Sequence, residues 1–206
     1  MDLADYPVGV YVPKDYDGRK PFGLFVSMTN AKSSSRYPRD FAKTLDQHHL
    51  IWVGFDPYNG LGSANSAFCV AIVYNMLGYF SIDRSRIYIG GFSLGGQMTN
   101  EVAHTWPGVF KGMVYINIGY TAGATTVDYI SYDPASLYFS RKNVPMVFVE
   151  GDYDYCRLGA YENYDSLLSA GYRNIHFVQE PMRGHRLISA ESFEKAVSLL
   201  DSGREK

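Results

Sequence analysis

The segment Arg86-Ile87-Tyr88-Ile89-Gly90-Gly91-Phe92-Ser93-Leu94-Gly95-Gly96-Gln97 leaves the chain few folds to choose from. Its β-branched and aromatic residues suit a strand, its glycines a tight turn, and the residues from Leu94 onward a helix. A strand that turns at once into a helix strains the residue at the apex. It also brings positions i−2 and i+2 together, where glycine avoids a Cβ clash. Gly91 and Gly95 occupy those positions around Ser93. The pattern therefore predicts a serine hydroxyl raised at the C-terminal end of a strand, beside the positive end of a helix.

The rest of the chain alternates in the same way. Strands are expected over 6–12, 22–26, 50–55, 86–90, 112–118, 145–150 and 174–179. Helices are expected over 39–48, from Ser63 or Asn65 to Tyr79, and over 94–106, 158–170 and 188–200, with a short one near 134–139. Regular alternation argues for a mostly parallel sheet with helices on both faces. At 206 residues, 46% hydrophobic and 19% charged, without repeats or linkers, the chain reads as one globular domain over 1–206. A net charge of −2 gives no footprint for nucleic acid. No apolar run is long enough to span a membrane, and Met1 to Asp5 lack the features of a signal peptide. The expectation is a soluble protein, with neither cytoplasm nor secretion marked. Cys69 and Cys156 make no disulfide framework, and oligomeric state leaves no sequence mark.

In such a sheet, ligands bind beyond the carboxyl ends of the strands. After the strand at 145–150 comes Gly151-Asp152-Tyr153-Asp154, and after that at 174–179 a loop with Gly184-His185. With Ser93 these give serine, acid and histidine in that order, each at a strand end. A serine hydroxyl needs an imidazole to take its proton, and the imidazole needs a carboxylate to fix its tautomer. Asp152 and Asp154 are both placed to supply it. His48, His49, His104 and His176 read as packing or surface residues. No phosphate loop, metal cluster or cofactor fingerprint accompanies the set, so no cofactor and no metal are expected.

Here the chain resembles the α/β-hydrolase family, and within it the small esterases related to polyhydroxybutyrate depolymerases and feruloyl or acetylxylan esterases. The segment Ile82 to Gly96 resembles that group's nucleophile segment, and Tyr11-Val12-Pro13-Lys14-Asp15-Tyr16 its approach to the first central strand. The resemblance implies a three-layer α/β-hydrolase fold and a carboxylic ester hydrolase with Ser93, Asp154 and His185 as its triad. Asp154 is selected because the family's acid follows the glycine by three positions; Asp152 then reads as a turn residue. The backbone N–H groups of Leu94 and Thr29 are expected to form the oxyanion hole, with Met28 the alternative to Thr29. The family's His-Gly pair is replaced here by Ser27-Met28.

The family often inserts a cap between the strands at 112–118 and 145–150. About 26 residues lie there, too few for a folded lid, so an open cleft is expected, able to admit bulky or polymer-linked esters. Met28, Tyr58, Tyr120 and Tyr153 are candidate substrate contacts, and Tyr129, Tyr132 and Tyr155 fall on the same expected rim. Two other readings fit the residues: a serine peptidase or thioesterase with the same triad, and a non-catalytic binding protein on the same scaffold.

Overall fold

The computed structural model describes residues 8–29, 38–55, 63–106, 108–119 and 144–202. They build seven strands: β1 Val8–Tyr11, β2 Phe22–Thr29, β3 Leu50–Phe55, β4 Ile82–Phe92, β5 Gly112–Ile116, β6 Met146–Gly151 and β7 Ile175–Glu180. The helices are α1 Ala42–Gln47, α2 Ser63–Tyr79, α3 Leu94–Thr105, α4 Arg157–Ser169 and α5 Ala190–Ser202. One sheet runs β1-β3-β2-β4-β5-β6-β7. Every neighbouring pair is parallel except β1 with β3.

The central strands are buried on both faces, so they read as apolar runs rather than alternating ones. Leu24, Val26 and Met28 face one layer, which packs on Phe68, Ile72 and Val73 of α2 and Met98 and Val102 of α3. Phe25, Trp52, Tyr88 and Val147 face the other, closed by Leu45 of α1 and Phe193, Val197 and Leu200 of α5. Phe41 and Phe193 stack there with centroids 4.0 Å apart.

Four departures from the expected elements stand out. Ser27-Met28-Thr29 continues β2 instead of leaving it, because it pairs on both sides, Met28 with Phe55 and Gly91, Thr29 with Phe92. β4 begins at Ile82, which pairs with Phe22 ahead of a register shift. β5 stops at Ile116 because the next residue, Asn117, takes a left-handed φ of 49°. The helix expected over 39–48 is a 3₁₀ turn, Arg39–Phe41, followed by the short α1. The expected short helix at 134–139 and the cap region fall outside the described residues.

At the edge of the sheet away from its carboxyl ends, one carboxylate gathers Arg86, Tyr88 and His48. Asp201 of α5 accepts hydrogen bonds from Arg86 (2.9 Å) and Tyr88 (2.7 Å) and pairs with His48 Nδ1 at 2.8 Å. His48 is raised above its ordinary pKa mainly by that bond. The cluster ties the last helix to β4 and to the end of α1.

Candidate active site

Ser93 joins β4 to α3 with φ 56° and ψ −124°. That conformation costs a non-glycine residue on the order of 1–3 kcal/mol and persists only where its surroundings hold it. Here the Ser93 N–H donates to the Ile116 carbonyl of β5 at 2.9 Å, and its carbonyl accepts the Gly96 N–H at 2.9 Å. The expected close approach is present. A Cβ on Gly91 would overlap the Gly95 carbonyl and lie 2.6 Å from the Met28 carbonyl oxygen.

His185, in the loop between β7 and α5, brings Nε2 to 2.9 Å from Ser93 Oγ. Its Nδ1 lies 2.9 Å from Asp154 Oδ2 and 3.1 Å from Oδ1. The carboxylate faces Nδ1, so the neutral ring carries its proton there and turns the Nε2 lone pair toward the serine. Asp154 is enclosed: its side chain is 0% exposed, against 18% for His185. Its Oδ1 also accepts the Cys156 N–H at 2.7 Å. Asp152 points elsewhere. Its Oδ1 accepts the Gln179 amide at 2.5 Å and its carbonyl accepts the Arg157 guanidinium at 2.7 Å.

The His185 ring contacts two aromatic rings, Phe92 at 4.9 Å and Tyr155 at 4.4 Å between centroids. Its loop is fastened to the sheet. Asn117 donates from Nδ2 to the Arg186 carbonyl at 2.7 Å, accepts the Gly151 N–H at 3.0 Å, and donates its own N–H to Val149 at 3.0 Å. The Arg183 carbonyl accepts the Tyr153 N–H at 2.8 Å.

Below this layer Glu150, the penultimate residue of β6, is 0% exposed. Its Oε1 accepts the Ile118 N–H at 2.8 Å, and among the described residues its buried Oε2 has no hydrogen-bond partner. Burial pushes the Glu150 carboxyl up to about 9, aided by the charge of Asp154 and opposed by the Ile118 bond. The Cys156 thiol is pushed up to about 11, again first by burial and then by Asp154 and Glu150. Cys69 and Cys156 are both free.

Leu94 opens α3, where first-turn N–H groups have no intrahelical acceptor. Thr29 ends β2 opposite Phe92, one residue before Ser93. The Met28 side chain corrects an expectation. It is completely buried in the apolar layer and cannot reach a substrate. Tyr153 is 73% exposed beside the site. Tyr58, Tyr120, Tyr129 and Tyr132 fall outside the described residues. Asn117, Glu150 and Cys156 escaped the sequence reading. The one hint was a polar residue interrupting or ending an apolar strand, at Asn117 and at Glu150.

No protein-family profile matches the chain. A stretch of 66 residues, 32% of the chain, is 38% identical to feruloyl esterase B of Thermothelomyces thermophilus, and spans only 23% of that relative. Fluorophosphonate-binding serine hydrolase F of Staphylococcus aureus superimposes with a TM-score of 0.77 at 13% identity, over 94% of this chain and 91% of that one. A ferulic acid esterase gives 0.72 at 14% identity, over 97% and 92%. With the sheet order and the elbow at Ser93, these near-complete superpositions establish that the chain has the α/β-hydrolase fold.

Proposed function

We propose that the protein is a serine carboxylic-ester hydrolase working through an acyl-enzyme. The observation that carries this reading is the continuous hydrogen-bonded line from Ser93 Oγ through His185 to Asp154. Ser93 attacks the ester carbonyl while His185 Nε2 takes its proton. The imidazolium is stabilised by Asp154, which stays ionised. His185 then returns the proton to the leaving alkoxide, the alcohol departs, and an ester to Ser93 remains. Water, deprotonated by the same nitrogen, releases the acid and restores the serine. The tetrahedral oxyanion would sit between the Leu94 and Thr29 N–H groups, donors that exist before the charge develops.

The local likeness to a protein named feruloyl esterase B and the fold shared with a ferulic acid esterase support an ester rather than an amide substrate. The exposed rings of Tyr153 and Tyr155 suit an aromatic or polymer-linked one. A binding protein without catalysis would have no use for the strained serine and its aligned imidazole.

The test is covalent labelling by a fluorophosphonate, read by peptide mapping, beside turnover of p-nitrophenyl, feruloyl, thioester and peptide-amide substrates. Labelling at Ser93, lost in Ser93→Ala, with ester turnover is the expected result. Folded protein that neither labels at Ser93 nor turns over any ester refutes the proposal. Faster cleavage of the thioester or the amide would shift it to the thioesterase or peptidase reading.

A further inference from the structure

We propose that Asp154, Cys156 and His185 form an inhibitory site for a soft divalent cation of the zinc type. The ion would switch hydrolysis off by taking the His185 nitrogen that Asp154 otherwise holds.

A carboxylate oxygen, a thiol sulfur and an imidazole nitrogen from these residues all lie within 4.8 Å of one another. Tetrahedral zinc, with bonds of about 2.0–2.3 Å, needs its donors about 3.3–3.8 Å apart. Side-chain adjustments of about 1 Å close that gap. The combination of sulfur, nitrogen and oxygen selects zinc over magnesium or calcium, which require oxygen ligands. The site has room for the sulfur: Cys156 packs on Gly119, where a Cβ would come within 2.9 Å of Sγ.

A second observation points to a cation independently of the three donors. Glu150, wholly buried at the end of β6, leaves its Oε2 without a hydrogen-bond partner among the described residues. The hydrolase reading uses neither the Cys156 sulfur nor this unpartnered carboxyl oxygen.

The chemistry balances simply. The thiol proton leaves to solvent and a sulfur–metal bond replaces it. Metal on Nδ1 displaces that ring proton, so the neutral ring must carry its proton on Nε2. That N–H then donates to Ser93 Oγ, and no lone pair remains to accept the serine proton. The inhibitory half of the proposal rests on the hydrolase reading; the binding half does not.

Zinc chloride is titrated into the protein by calorimetry, and Cys156 is followed by its protection from iodoacetamide. In parallel, p-nitrophenyl acetate hydrolysis is measured with zinc, then with EDTA, relative to each variant's own metal-free rate. One ion is expected to bind per chain, protect Cys156 and inhibit reversibly. Cys156→Ala and Cys156→Ser should each weaken both binding and inhibition at least about tenfold, the second variant guarding against a folding defect in the first. Magnesium should do neither. Unchanged zinc binding in both variants, or no protection of Cys156, overturns the site. Binding through Cys156 without inhibition overturns the switch. Zinc binding through Cys156 in a protein with no ester turnover would instead count against the hydrolase reading and leave the site standing.

Discussion

Glu150→Gln should make the protein more stable in mild alkali and change little in mild acid. In the unfolded chain a glutamate ionises near 4.5, whereas in the fold Glu150 holds its proton up to about 9. Folding therefore takes up a proton between those limits. The group's contribution to stability is intact below about pH 4.5 and is lost progressively as pH rises toward 9. Each pH unit in that window costs about 1.4 kcal/mol, so the step from pH 5.5 to 8.5 costs about 4 kcal/mol. Glutamine keeps the oxygen that accepts the Ile118 N–H and cannot ionise. Relative to wild type, the variant should gain most of that amount over the same step. Asp154 and Cys156 are the ionisable neighbours that interact with Glu150, and both remain. Urea unfolding at pH 5.5, 7.0 and 8.5 and constant ionic strength reads the difference directly. A stability difference that does not change with pH, or that moves the other way, would mean that Glu150 is not held neutral, and the reasoning from its burial would fail.

Asp154→Asn should lower kcat roughly 10⁴-fold, because an amide facing Nδ1 can stabilise the wrong tautomer, whereas Asp152→Asn, whose side chain bonds Gln179 away from His185, should leave ester turnover close to wild type. Gly91→Ala drives a methyl group into the Gly95 carbonyl and the β2 backbone. It should cost more than about 3 kcal/mol in thermal or urea unfolding and abolish fluorophosphonate labelling at Ser93. Asp201→Ala strands an Arg86 side chain that is only 13% exposed, and should cost about 3 kcal/mol in unfolding while the folded fraction keeps its turnover, since the site lies at the other end of the sheet.

The elbow was legible because its constraint is local. A strand, two glycines two residues either side of a serine, and a helix start are all read from adjacent positions. His185 and the pair Asp152 and Asp154 were legible by chain order, since each follows an apolar run read as a strand; the choice of Asp154 over Asp152 came from the family resemblance. The antiparallel placement of β1 was not, because alternation at Val8 and Val10 marks a strand but not its direction. Nor was the length of β2: Ser27, Met28 and Thr29 have loop-like neighbours, and only pairing with β3 and β4 keeps them extended. Cys156 and Glu150 belong to the site through convergence of β5, β6 and the turn after β6. That proximity is set by strand order, which the local pattern does not carry.

Asn117 gives the loop that carries His185 the mechanical character of the sheet. One side chain joins the end of β5 to the first residue beyond His185 and to the last residue of β6. A loop with no regular structure of its own is thereby clamped to the stiffest part of the molecule. The Gly151 amide, whose partner is that side chain, should exchange its hydrogen for deuterium only on the timescale of sheet opening. Replacing Asn117 by alanine should speed exchange at Gly151 by orders of magnitude while the interior of β4 stays protected. His185 would then be mounted on the scaffold itself, with a loop serving only as the bracket.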